Sequence, residues 1–397
     1  MAYNMSIFKN RFLHIIILGV CAVVLRFYAI GLLESENPVW FRMTAIIFIL
    51  GVGAVFVLKG IAEIIEETTE VLSDRTKIAS GLLQSLGTAF PDMVLGISAA
   101  LVSLRYLKED YGLAINFAII AAATTFGSNI YNIGHAIWCV FRQNTSNKKG
   151  QAVFMMPGIK KMGMVTPMKD HVTKPSLKEI DSALDILNIL TILTAVVALS
   201  MVIFGQVKSV AVTVSGDLYQ LIKPAGFVIL CLCLVVIYHF RKTKREHILV
   251  EKIATEERYY KKKSTWVILA YLVVSGATIL FTAESMIRAI ESFCSITGLP
   301  FVVAGVLAGV IGCMGEMVVV HSFTVNPKGR IGDALVGVAM DNIVTTMGAA
   351  IVALMGGIFL GGNSLIIIFV IILALNTVLI WQISRMKNYF LGRSIKI

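Results

Sequence analysis

Charge is what this chain most conspicuously lacks: only 15% of its 397 residues are Asp, Glu, Lys or Arg, while 57% are hydrophobic. A soluble domain carries about 25% charged residues, so the composition excludes an ordinary water-soluble fold. Covalent staples are lacking too. The six cysteines (Cys21, Cys139, Cys231, Cys233, Cys294, Cys313) are scattered, mostly within apolar runs. Cys231 and Cys233 would point to different sides of a helix, so neither a disulfide framework nor a thiolate metal site follows. Acidic residues are outnumbered, giving a net charge of +11. That excess could suggest nucleic acid, but the Lys and Arg lie almost wholly in loops between apolar runs, where they set membrane orientation instead.

What is present is hydrophobic length. Mean hydropathy is +0.82, and apolar segments of spanning length fall near 12–33, 41–62, 80–104, 113–141, 183–205, 221–240, 265–284, 298–323, 331–356 and 363–384. The expectation is an all-α integral membrane protein of about ten transmembrane helices. Lys9 and Arg11 precede the first run as they would in a signal peptide. That run, however, reaches Leu33 through Arg26 without an obvious small-residue cleavage site, so it reads as a retained helix. With the N-terminus in the cytoplasm, loop 142–182 (eight Lys/Arg), loop 241–264 (nine) and the basic C-terminal tail all fall inside, as the positive-inside rule requires. Both termini are then cytoplasmic, and the cell membrane is the expected location. Loop 142–182 reads as a connector or an amphipathic surface segment, and 241–264 as a helical extension at the membrane surface.

Two stretches repeat one idea. Gly87-Thr88-Ala89-Phe90-Pro91-Asp92 with Gly127-Ser128-Asn129-Ile130-Tyr131-Asn132 is echoed by Gly312-Cys313-Met314-Gly315-Glu316 with Asp341-Asn342-Ile343-Val344-Thr345. Helix 80–104 runs outward and its counterpart 298–323 inward, so the repeats are inverted, a transporter device. Gly53-Ala54 recurs as Gly276-Ala277, which brings helices 41–62 and 265–284 into the duplicated unit. The expected organisation is an additional helix within 1–40, a first half over 41–240 (repeat 80–141), a connector at 241–264 and a second half over 265–397 (repeat 298–356).

Charge inside a span costs roughly 3 kcal/mol or more per group, so such groups mark function. Positions four apart share a helix face, and Thr88 with Asp92, Ser128 with Asn132, Gly312 with Glu316 and Asp341 with Thr345 each form a patch. Brought together at mid-membrane, they supply three carboxylates, three hydroxyls and one amide. That oxygen-only set suits hard cations such as Ca²⁺ and Na⁺ and does not suit zinc or copper. Glycines and Pro91 crowd the same places, where they free carbonyls or allow close packing. Lys59 and Glu284 fall near expected helix ends and read as snorkelling residues. His135 and His321 read as polar residues near helix ends, with proton coupling as the sharper alternative.

These motifs resemble the α-repeats of the calcium:cation antiporter superfamily, which includes the Na⁺/Ca²⁺ exchangers. Residues 87–92 are similar to the family's G-T-S-x-P-E, and 127–132 fit its G-S-N-x-x-N. The resemblance implies that Thr88, Asp92, Ser128 and Asn132 are ion ligands. The second repeat departs further: Glu316 keeps the acidic position, but Gly312, Cys313 and Gly315 replace threonine, serine and proline. The spacing to Glu316 also resembles the G-N-A-A-E of the H⁺/Ca²⁺ branch. Asp341 stands where the family has serine and Thr345 where it has Asp or Asn. The resemblance covers roughly 41–384 and implies exchange of Ca²⁺ for Na⁺, with H⁺ as the alternative coupling ion, no cofactor beyond the transported ions, and helices 41–62 and 265–284 sliding as gates over a core. It gives no oligomeric state. The family's last helix is missing here, and helix 12–33 is expected to fill its place beside 363–384. An intramembrane hydrolase using Asp92 and Glu316 as acid and base, and a carboxylate-lined cation channel, are the competing classes.

Overall fold

The computed structural model describes residues 11–34, 36–76, 80–171, 177–207, 218–240, 259–325, 331–356 and 359–392. For several residues inside its helices, including 80–92, only the backbone is described. Helices dominate: α1 (Arg11–Val24), α2 (Val39–Gly51), α3 (Lys59–Thr76), α4 (Ser80–Tyr106), α5 (Tyr111–Lys149), α6 (Leu177–Phe204), α7 (Lys223–Phe240), α8 (Thr265–Thr297), α9 (Phe301–Val325), α10 (Ile331–Met355) and α11 (Gly362–Phe390). Among the described residues seven helical stretches are long and apolar enough to cross a membrane, and Met93–Tyr106, Lys223–His239 and Phe301–Val310 are shorter apolar ones. The chain is an all-α multi-pass membrane protein.

Local chemistry sets the helix ends. The Asp110 carboxylate caps α5 by accepting from the Leu113 amide at 2.9 Å, and Ser264 caps α8 by accepting from Val267. Gly150 (φ 64°) and Gly298 (φ 69°) close the same two helices in the left-handed conformation that glycine adopts without strain. A wide π turn, Val52–Leu58, joins α2 to α3, so the helical path expected over 41–62 runs from Val39 to Thr76. Lys59 therefore lies mid-helix, not at an end, and is exposed. Two more helices outlast expectation, α5 to Lys149 and α8 to Thr297, because their polar ends (Gln143, Asn144, Ser292) are buried and bonded by neighbouring elements.

The ends of the expected loop 142–182 belong to α5 and α6, and residues 153–170 between them fold as a surface segment. After α5 it forms a hairpin, β1 (Val153–Met156) and β2 (Ile159–Val165), then a 3-10 turn at Met168–Asp170. There the His171 imidazole, in hydrogen-bond contact with the Thr166 carbonyl, is held below its ordinary pKa chiefly by burial. Most of 241–264 lies outside the described residues. Its end, Tyr259–Lys262, is a 3-10 turn, where burial first and the nearby Glu67 second push the Tyr260 phenol up. At the opposite end β3 (Gln206–Val207), β4 (Leu218–Gln220) and β5 (Phe359–Gly361) form a small antiparallel sheet in that order.

Two large apolar cores and a small third one organise the described residues. The first unites α4 to α7 with α9 to α11, the hairpin and Ile287, Ile290 and Cys294 of α8; the second unites α1, α2, α3 and the rest of α8, touching α4 through Val94 and Leu95; the third gathers Ile115, Ala118, Ile119 and Leu218. Helix α5 is the buried axis of the first, with α9, α4 and α11 packed on it. Large apolar side chains such as Ile192 and Ile203 on α6 and Trp266 and Val273 on α8 are exposed around the outside, where acyl chains would cover them. Helix α1 packs on α8 and on α3, whereas α11 packs on α5 and α6. The expectation that 12–33 fills the vacant place beside 363–384 is therefore overturned: α1 lies on α8 and α3, with Gly19 toward Thr278 of α8 and the fully buried Leu18 against Gly60 of α3.

Candidate ion-binding site

Four helices carry the residues singled out from the sequence, and they pack as neighbours: α5 against α9, α4 against α10, and α4 against α5. The α5–α9 crossing is made close by glycine. A Cβ on Gly309 would stand 2.6 Å from the Ser128 amide nitrogen, and one on Gly127 would stand 2.8 Å from the Val306 Cα. Backbone touches backbone there, as in close membrane-helix packing.

One turn past Ser128 on α5 and two turns past Gly309 on α9, Asn132 Nδ2 donates to Glu316 Oε2 at 2.5 Å. Glu316 is only 2% exposed and Asn132 also 2%. This is the first pair of expected site residues that the fold brings together, from segments 184 residues apart. The Asn132 Oδ1 carbonyl oxygen is buried without a hydrogen-bond partner. A buried carbonyl oxygen in that state costs stability and is a natural cation ligand.

Ser128, Asp341 and Thr345 are buried as well. The Ser128 hydroxyl donates to the Thr125 carbonyl and the Thr345 hydroxyl to the Asp341 carbonyl, each at 2.8 Å. With their protons turned back into the helix, both oxygens keep lone pairs for an incoming cation. Thr88 and Asp92 have side chains outside the described residues. Their helix is bracketed on both sides: Gly96 lies against the Thr125 hydroxyl of α5, and Met93 lies against Gly348 of α10. Helix α4 continues through Pro91, which has no N–H to give the Gly87 carbonyl. Among the described residues no three His, Cys, Asp or Glu side chains converge as a metal site. The gathering of the three expected carboxylates thus lies outside what is described.

Sequence reasoning passed over Asn342. It is fully buried, its Nδ2 donates to the Val338 carbonyl at 2.7 Å, and its Oδ1 has no hydrogen-bond partner. Its place beside Asp341 in the repeat was the available signal. Glu284 was misjudged as a snorkelling residue. It is turned inward instead, with a side chain 16% exposed, and joins Arg26 at 2.7 Å and Arg105 at 3.4 Å, so the π turn that continues α1 (Leu25–Ala29), α4 and α8 meet at one carboxylate. His135 and His321 stack with ring centroids 6.0 Å apart, one turn beyond the Asn132–Glu316 contact. They form a cross-helix pair and are not two separate residues at helix ends.

No family model and no curated protein matches the sequence. Among solved structures, the sodium-calcium exchanger NCX_Mj soaked with 2.5 mM Na⁺ and 10 mM Sr²⁺ is similar at 14% identity, over 94% of this chain and 98% of that one, with a TM-score of 0.43. The same exchanger soaked with 2.5 mM Na⁺ and 0.1 mM Ca²⁺ gives 14% identity, coverage of 88% and 99%, and a TM-score of 0.45. At that distance the site stands on its own residues.

Proposed function

We propose that this chain is a secondary antiporter that exchanges Ca²⁺ for Na⁺ across the membrane by alternating access, with Asp92, Glu316 and Asp341 supplying charge and Thr88, Ser128, Asn132 and Thr345 supplying neutral oxygens. The observation that carries the reading is the buried Asn132–Glu316 contact between α5 and α9, with the Asn132 carbonyl oxygen left for a ligand. Carboxylates in a dry cluster repel one another and lose hydration, so the empty site resists closure and a loaded one permits it. If reorientation requires neutralisation, by Ca²⁺ on one trip and by Na⁺ on the other, obligatory exchange follows. The second core, where α2 and α3 pack on α8, supports these helices as the moving part, with α8 also reaching the first core through Ile287, Ile290 and Cys294. On this reading Asp92 and Glu316 hold cargo and catalyse no hydrolysis.

The stacked His135–His321 pair favours a second reading, in which H⁺ replaces Na⁺ as the coupling ion. Radioactive Ca²⁺ uptake into proteoliposomes separates the cases. Uptake driven by an outward Na⁺ gradient supports the first reading, uptake driven only by a proton gradient the second, and uptake that persists without either ion a channel. Glu316→Gln is expected to abolish exchange; near-wild-type flux would remove Glu316 from the site.

A further inference from the structure

The hairpin of β1 and β2 is a built surface that ion transport does not use. It climbs back along α5: the Gln151 carbonyl accepts from Ser146 Oγ, Phe154 from Arg142 Nε and Met155 from Trp138 Nε1, at 2.9, 2.9 and 3.2 Å. From Ser146 to Trp138 is roughly 12 Å of helix rise, toward the middle of the molecule. The turn at Pro157–Gly158 therefore stands at about the level of Trp138, an aromatic ring of the type that anchors at the headgroup boundary. The return strand is fixed as well: His321 Nε2 of α9 donates to the Met162 carbonyl at 2.9 Å, and the Val165 carbonyl, 3.0 Å from Ser146 Oγ, shares that hydroxyl's single proton with the Gln151 carbonyl.

Held in place on its inner side, the hairpin turns outward an unusual mixture. Ile159, Met162 and Met164 are 52%, 42% and 44% exposed, and Lys160 and Lys161 between them are exposed as well. Lys148, Lys149 and Lys169 extend the positive surface, and Asp170 is its exposed acid. Apolar side chains beside lysines at headgroup depth match a layer with acyl chains below and phosphates above. The charge bias of the loops assigns this end to the cytoplasm, where the leaflet is anionic.

The geometry points to an anionic-phospholipid site on the β1–β2 hairpin, with Lys160 and Lys161 holding the phosphate and Ile159, Met162 and Met164 entering the acyl boundary. The hairpin is bonded to α5 and α9, so a lipid seated there braces the two helices that carry Asn132 and Glu316. The proposal does not depend on what the core transports.

Native mass spectrometry of the full chain, released from micelles of equal phosphatidylglycerol and phosphatidylcholine, counts the lipids retained. Phosphatidylglycerol is expected to be retained preferentially. Lys160→Glu with Lys161→Glu should lower that retention on the order of tenfold, and Lys108→Glu at the opposite end should leave it unchanged. Equal retention in all three proteins overturns the site. A second readout needs no charge reversal: Ile159→Trp in nanodiscs of brominated phosphatidylglycerol should add a quenched emission, and an unquenched tryptophan would place the hairpin in water and sink the proposal.

Discussion

Two of this molecule's helix crossings are made by glycine yet answer to opposite demands. Where α5 meets α9, Gly127 and Gly309 face backbone atoms that have nowhere to go. Where the α2–α3 path meets α8, Gly53 faces the thioether of Met286, at 2.9 Å from where its Cβ would stand, and a methyl of Thr282. Methionine is flexible and repacks, whereas a main chain inside a helix does not. The first crossing is a fixed seam and the second can yield, which is the division that an exchanger with a static core and a sliding pair would need.

That contrast can be broken by substitution. Gly309→Ala should have the largest effect, a loss of about 3 kcal/mol or more at the upper end of the overpacking range, a large fraction of a typical folding free energy. It would appear as failure to recover monodisperse protein or as a collapse of the melting temperature. A fully stable Gly309→Ala protein would show that the seam gives. Asn132→Leu should come next. It removes the amide donor from Glu316 and leaves a buried carboxylate short of one partner, at a cost of about 1–3 kcal/mol and with loss of Ca²⁺-dependent thermal stabilisation. Unchanged stabilisation by Ca²⁺ would separate Asn132 from the cation.

Glu284→Gln tests the joint of the two regions. Arg26 and Arg105 lose their shared anion, and we expect a cost of about 1 kcal/mol, because the Arg105 side chain is 59% exposed and screened. Its melting temperature should depend less on salt than that of the wild type. Gly53→Ala should do least, within about 1 kcal/mol, since Met286 can move aside. A loss as large as that of Gly309→Ala would erase the difference between the crossings. Outside the spans, the depressed His171 pKa has a defined sign: the folded state holds the imidazole neutral, so stability is present above pH 6.5 and falls as pH drops below it. The protection factors of the 166–171 amides, with intrinsic exchange divided out at each pH, should therefore fall on acidification, whereas those at the α5–α9 seam should not.

Much of this architecture was legible in one dimension. Apolar runs gave the helices because a membrane span is a length of hydrocarbon, and the repeat gave four motif-bearing helices because carboxylates inside such runs are costly. Helix ends were less legible. Extension of α5 to Lys149 and of α8 to Thr297 rests on polar residues that are satisfied by distant partners, Gln143 by the Thr166 carbonyl and Ser292 by Arg42. Glu284 was misread for the same reason: its two arginines lie 258 and 179 residues away. The hairpin at 153–165 has no strong alternating pattern, and it is fixed by side chains of α5 and α9 more than by its own residues.

Composition and spacing alone therefore determined that this chain lives in a bilayer, that it crosses it several times, and which oxygen-bearing residues recur at helical intervals. Those follow from local sums: transfer free energy per residue and 3.6 residues per turn. The tertiary structure decided that Asn132 faces Glu316, that α1 joins α8 rather than α11, and that a basic loop folds into a hairpin against the helices. Each of these depends on which surfaces meet across long sequence separations, and no local property of a segment encodes its partner.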